Sequence, residues 1–192
     1  MNTPWDMARF EVTCHKFANL DEYGYGVAIL NDCKYGFAVH GNVMRLSLIR
    51  ASKAPDGNAD IGRHFFRYGI LPHRESLHQS NVVKAGFNFN SPLRVVKGSL
   101  KLPEFRVKDA PSVILETIKK AEDDDSVVLR TYETYGGSVQ AKIQTSLKVS
   151  KCVKVNVLED EMGIVEILPE KEGTSLQVNY KPFEIVTLKL LL

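Results

Sequence analysis

Cysteine is scarce in these 192 residues: Cys14, Cys33 and Cys152 are odd in number and widely spaced, which excludes both a disulfide framework and a paired-cysteine zinc site. Reduced thiols follow, and with them a cytoplasmic or similarly reducing compartment. A vacuolar or lysosomal destination would need a targeting route encoded ahead of this stretch. Long apolar runs are missing too, and the opening Met1-Asn2-Thr3-Pro4-Trp5-Asp6 has neither the basic nor the apolar region of a signal peptide. No membrane partner is expected. Charge of one sign is not in excess: 25 Lys and Arg against 23 Asp and Glu, intermixed, leave a net charge of +2. That balance sets up no cationic field for nucleic acid.

Recognisable catalytic motifs are absent as well. There is no Gly-x-Ser-x-Gly elbow, no phosphate-binding glycine loop and no His-Glu-x-x-His pair. The five histidines, His15, His40, His64, His73 and His78, are scattered, and ligands so spaced declare a metal only through geometry. Asp123-Asp124-Asp125 reads as an exposed charged turn before it reads as a calcium site. No catalytic residue, metal ligand or cofactor is therefore assigned within the chain.

What is present is a soluble, foldable composition, 44% apolar and 25% charged, with period-two patterning. Val139, Ala141, Ile143, Thr145, Leu147 and Val149 alternate with polar residues, as a half-buried strand does. The rhythm returns at Val153, Val155 and Val157, and at Leu176, Val178 and Tyr180. Tyr135-Gly136-Gly137-Ser138 suits a hairpin joining the run at 127–132 to the strand at 139. Residues 112–121 favour a strand over a helix because Val113, Ile114 and Ile118 are β-branched. The closing run after Pro182 reads as a strand buried on at least one face. Earlier strands are expected at 25–30, 37–39 and 44–48. The fold class is all-β, an antiparallel β-sandwich or two packed sandwich subdomains, with an N-terminal part at 1–94, an irregular connection at 95–110 and a C-terminal set of strands at 111–192.

Between Asn31 and His73 polar and charged side chains crowd around breaker-rich loops. Lys34, Tyr35, Arg50, Asp60, Arg63, His64 and His73 suit recognition of a polyhydroxylated ligand or a partner domain. They suit equally a set of loop charges with structural hydrogen bonds, in which Asp32 pairs with Lys34 and Tyr35 packs on its strand.

Several strings then fall in a telling order. Trp5-Asp6-Met7-Ala8-Arg9-Phe10-Glu11 precedes Gly24-Tyr25-Gly26-Val27-Ala28-Ile29-Leu30-Asn31-Asp32-Cys33-Lys34-Tyr35-Gly36. Next come Leu46-Ser47-Leu48-Ile49-Arg50, Pro55-Asp56, Asp60-Ile61-Gly62-Arg63-His64-Phe65, Leu71-Pro72-His73 and Asn90-Ser91-Pro92-Leu93. In this the chain resembles the C-terminal region of glycoside hydrolase family 38, most of all its cytosolic and vacuolar α-mannosidase branch. The resemblance is strong over 5–93 and diffuse from there to Phe183-Glu184-Ile185-Val186-Thr187-Leu188. It implies a parent enzyme that is a retaining α-mannosidase, with an aspartate nucleophile, a carboxylic general acid and zinc or another divalent metal, all in an N-terminal barrel. It implies that this stretch packs on that barrel, is inactive alone, and offers Asn31, Asp32, Lys34, Tyr35, Arg50, Asp60, Arg63 and His73 to the substrate or to the barrel. Apolar residues near Trp5, Phe10 and Phe17 would then lie on a former interface. The alternative is a stand-alone carbohydrate-binding or protein-interaction sandwich.

Overall fold

A computed structural model describes residues 4–99 and 102–192. The first three residues, and residues 100–101 within the expected connection, lie outside the described residues. The chain divides into two compact units, Met1–Val96 and Lys97–Leu192.

The first unit runs α1 (Pro4–Met7), β1 (Val12–Thr13), β2 (Phe17–Glu22), β3 (Tyr25–Asn31), β4 (Gly36–His40), β5 (Val43–Ser47), β6 (Tyr68–His73) and α2 (Val82–Asn90). Its strands form two three-stranded antiparallel sheets, ordered β1-β4-β5 and β2-β3-β6. Two-residue loops close β2 on β3 and β4 on β5, and each uses a glycine at positive φ, Gly24 at 79° and Gly41 at 58°. Along β3, Gly26, Ala28 and Leu30 are buried while Val27 and Ile29 are only half-buried, so one face of β2-β3-β6 is better covered than the other. The cover is α2. Leu30 lies in register between Phe17 and Gly69, and a Cβ on Gly86 of α2 would come within 2.9 Å of the Phe17 ring. Phe17 is thus packed beneath a helix rather than lying on an open interface, whereas Trp5 and Phe10 are exposed. The helix is unforeseen in the sequence because Val82, Val83 and Gly86 are weak helix formers. Packing against β2 and β3 compensates for that weakness.

The second unit contains β7 (Phe105–Lys108), β8 (Val113–Lys120), β9 (Val127–Glu133), β10 (Val139–Thr145), β11 (Lys151–Val155), β12 (Glu161–Val165), β13 (Ile167–Glu170), β14 (Gly173–Tyr180) and β15 (Ile185–Leu191). These make a four-stranded sheet, β13-β14-β10-β7, and a five-stranded sheet, β12-β11-β15-β9-β8, all antiparallel. One core joins them: Ala141, Ile143, Leu176 and Val178 from the first sheet meet Leu129, Cys152, Val186, Leu188 and Leu190 from the second. The Tyr180 hydroxyl reaches across to Thr131 Oγ1 at 2.6 Å, in a buried bond. The architecture is the all-β, antiparallel sandwich that the alternation predicts.

Four local expectations change. Tyr135-Gly136-Gly137-Ser138 is not a hairpin, since β9 and β10 belong to different sheets. The turn carries the chain across the sandwich, wrapped around Glu133, whose carboxylate accepts the Tyr135 and Gly136 amides at 2.9 and 2.8 Å. The long alternating strand ends at Thr145 rather than 149, because Thr145 Oγ1 turns back to accept the Leu147 amide at 3.1 Å. Val157 lies outside β11 and is exposed. The 95–110 connection is not irregular throughout, for β7 inside it pairs with β10.

Candidate functional site

The residues singled out between Asn31 and His73 sit where β3 ends and along the irregular segment that runs from β5 to β6. Asn31, the last residue of β3, is fully buried. Its Nδ2 donates to the Cys14 sulfur at 3.6 Å, and its carbonyl accepts Asn90 Nδ2 at 3.0 Å. Its Oδ1 is a buried acceptor with no hydrogen-bond partner among the described residues. Asp32 follows, and its partner is Arg67 rather than Lys34. The Arg67 amide donates to Oδ1 at 3.0 Å and the guanidinium Nε to Oδ2 at 2.9 Å. Led by that amide, and helped by the Cys33 thiol and the Arg67 guanidinium, these contacts hold the Asp32 carboxyl below the usual range against a partial desolvation. In turn the Asp32 carboxylate pushes the neighbouring Cys33 thiol up.

Around this pair lies a cluster of cations on aromatic rings. Lys34 Nζ stands 5.3 Å from the Phe66 ring centre, and the Arg67 guanidinium 5.0 Å from that of Phe89. Arg67 also donates to the Phe89 carbonyl at 3.2 Å. An open pocket of about 490 Å³ is lined by Asp32, His64, Phe65, Phe66 and Arg67. Flat apolar rings beside fixed charged donors and acceptors bind sugar rings and their hydroxyls, or the loop of a partner.

The other candidates are placed around it. Tyr35 is partly exposed and meets His15 edge to face at 4.6 Å. Asp60 stands at positive φ, 59°, and its carbonyl accepts His64 Nε2 at 2.8 Å. The Arg63 guanidinium lies 5.5 Å from the centre of the exposed Phe65 ring. Arg50 is an exposed loop side chain. His73 looks elsewhere: its Nδ1 meets the Glu75 carbonyl at 2.5 Å, so that nitrogen donates, and its Nε2 lies 2.8 Å from Asn19 Oδ1. A Cβ on Gly26 would fall within 2.4 Å of that imidazole. His73 is therefore held in a tight niche on β2-β3-β6, outside the Asp32 cluster. Sequence reasoning missed Arg67, Phe66 and Phe89; the one available signal was the run of rings and cations at His64-Phe65-Phe66-Arg67-Tyr68. The acidic turn is an ion-pair site, with Asp125 on Lys120 at 2.6 Å and Asp124 on Lys189 at 2.9 Å.

Among the described residues no three His, Cys, Asp or Glu side chains converge as metal ligands would, and no helix is long and apolar enough to cross a membrane.

Two family models match the chain. One, described as the glycosyl hydrolases family 38 C-terminal domain, covers residues 1–58. The other, the family 38 C-terminal β-sandwich domain, covers 112–188. Among curated proteins, the human protein named alpha-mannosidase 2C1 is 40% identical along the whole chain, which spans 19% of that protein. The alpha-mannosidase of Saccharomyces cerevisiae is 39% identical over 98% of the chain, again 19% of the relative. The chain thus spans about a fifth of the length of the curated relatives it matches. A crystal structure of an alpha-mannosidase from Enterococcus faecalis V583 superposes on 93% of the chain with a TM-score of 0.69 and 18% identity, using 21% of its own length. That likeness shows the fold. Two models that together take in well over half of the residues, in chain order and with the strand pattern described above, show that this chain belongs to the C-terminal region of glycosyl hydrolase family 38.

Proposed function

We propose that the chain serves a retaining, metal-dependent α-mannosidase as its C-terminal β-sandwich region, packing on the catalytic barrel of the same polypeptide and helping to frame the cleft in which a mannoside is cut. One observation carries the reading: identity of 39–40% runs along essentially the whole chain to proteins named alpha-mannosidase of which it spans about a fifth. Retaining cleavage needs a nucleophilic carboxylate and an acid roughly 5 Å apart across a sugar, and those groups are assigned to the part of the polypeptide outside this chain. Zinc or another divalent ion would there hold substrate hydroxyls. The described residues of this chain do not fit such an ion, since none of them form a ligand group, and none of their roles passes through it.

What these residues contribute is binding and orientation. Arg50 and Arg63 are exposed donors on the irregular segment, and Asp60 adds an exposed acceptor on the same segment. Asp32 and Lys34 hold the Phe65-Phe66-Arg67 stretch through Arg67 and the Phe66 ring, while Asn31 and Tyr35 brace the same turn through Cys14, Asn90 and His15. Free thiols at Cys14, Cys33 and Cys152 support a reducing, cytoplasmic setting. Turnover of an aryl α-mannoside tests the proposal. The isolated chain should be silent and the full polypeptide active, with Arg50→Ala and Arg63→Ala each raising KM by about threefold to tenfold. Turnover by the isolated chain at an enzymatic rate would overturn the division of labour. Unchanged KM and kcat in both variants would remove these two residues from the cleft.

A further inference from the structure

The first unit is poor in core. Of the 21 buried hydrophobic residues described, five lie in it, Ala28, Leu30, Phe37, Val82 and Val83, and the remaining 16 in the second unit of equal length. The shortfall is localised. On β2-β3-β6 the face opposite α2 carries Leu20, Val27 and Pro72 in one register row and Ala18, Ile29 and Ile70 in the next. Ile70 is 69% exposed and Tyr25, on the same face, 50%. From the other sheet Met44 of β5 lines the same groove, beside its cross-strand neighbour Val39, itself 45% exposed. The groove between them, about 610 Å³, is lined chiefly by Leu20, Tyr25, Val27, Ile29, Met44 and Ile70. Two sheets turn apolar residues toward a shared groove that they do not fill, whereas packed interiors leave few voids larger than a water molecule.

We infer that this groove is an unfinished sandwich core, and that its occupant is an apolar β-segment of the polypeptide that precedes this region. The inference rests on the proposed function for the existence of that polypeptide. The chain spans 19% of its relatives, so about four-fifths of their length lies outside the matched stretch, and the C-terminal description of both family models places that length chiefly on the preceding side. An apolar patch as continuous as this one marks an interaction surface. An intramolecular occupant arrives at the high effective concentration that makes even a modest groove fully filled.

Cysteine labelling of the full polypeptide tests this. Ile70→Cys places a thiol on the groove wall, and Glu172→Cys places one on the exposed β13–β14 turn as a reference. In the full polypeptide, maleimide labelling followed peptide by peptide in a mass spectrometer should be about tenfold or more slower at position 70 than at 172. In the isolated chain the two rates should agree within a factor of about two. Tyr25→Cys, on the same face, repeats the comparison if Ile70→Cys disturbs folding. Equal rates at 70 and 172 in the full polypeptide would overturn the inference. So would protection in the isolated chain that rises with its concentration, which would make the occupant a second copy. Mannoside turnover is read separately: a protected but inactive polypeptide sinks the enzymatic reading and leaves the groove assignment standing, and an active polypeptide with a freely labelled position 70 does the reverse.

Discussion

Glu133 ends β9 almost wholly buried. Burial alone would raise its carboxyl, yet the amides of Phe183, Tyr135 and Gly136, at 3.0, 2.9 and 2.8 Å, more than offset that and keep it ionised below the usual glutamate range. Glu133→Ala leaves three donors without a partner, and an equilibrium urea titration should show the second unit destabilised by roughly 2–4 kcal/mol. Because the folded carboxyl is the more acidic, its stabilisation is complete above the ordinary glutamate range and fades as pH falls through the lower folded value. A variant whose midpoint matches the parent's at neutral pH would refute this. Asp32 offers a second test through its neighbour. Asp32→Asn removes the carboxylate that pushes the exposed Cys33 thiol up, so alkylation of Cys33 at pH 8 should speed up by about twofold to fivefold. Asp32 was legible as a site residue from its loop context, but its partner was not. Arg67 stands 35 residues away, and no spacing rule links a strand end to the entry of a strand that pairs with it.

At the scale of elements, alternation announced β10, β11 and β14 because each is buried on alternate positions or nearly so. Which strands pair was not announced. A period of two says which face is apolar and nothing about the partner, which is why the glycine turn at 136–137 reads as a hairpin and is a crossing between sheets. A later turn depends on glycine more severely. Gly173 opens β14 at φ +107°, and a Cβ there would lie 2.0 Å from the Thr145 carbonyl oxygen of the neighbouring β10. Gly173→Ala meets backbone that cannot step aside, so a loss of about 2–4 kcal/mol is expected in thermal or urea unfolding. A melting temperature within a degree or so of the parent's would show that the turn relaxes freely. The helix α2 was illegible for the opposite reason: its residues disfavour helix, and the ring of Phe17 under Gly86 decides the matter from a distance.

For the molecule as a whole, the two units differ in how they should respond to acid. In the second unit Lys142, Ser175 and Gln144 hold the Glu170 carboxyl down at about 2, and Lys189 with Ser126 does the same for Asp124. Both groups are more acidic folded than unfolded, so what they add is intact above the ordinary carboxylate range and is lost as pH falls from there toward 2. Near-ultraviolet circular dichroism, or release of the buried Cys152 thiol, should therefore report a second unit at full strength above the ordinary carboxylate range that weakens progressively as pH falls from there toward 2. The lean first unit, followed through Cys14, should open at milder acidity or lower denaturant. Simultaneous loss of both signals at every pH would mean that the units share one cooperative transition. The overall class was legible at this scale because composition and strand rhythm suffice for a sandwich. The apolar groove was not, since it is defined by what two sheets fail to bury.

In the five-stranded sheet β15 is flanked by β11 on one side and β9 on the other, with β8 beyond β9 and β12 beyond β11. Chain order and spatial order are thus inverted, and of the five strands in this sheet the one that comes last in chain order is the one on which the sheet is centred. A ribosome that has released residues up to 184 has made β8–β9 and β11–β12 as two detached ribbons with bare inner edges. Neither can close on the other until Ile185–Leu191 threads between them. Assembly of this unit is then governed by a late, long-range docking step, slow by its contact order and exposed to mispairing while it waits. A chain ending at Glu184 should remain as aggregating ribbons rather than a slightly weakened sandwich.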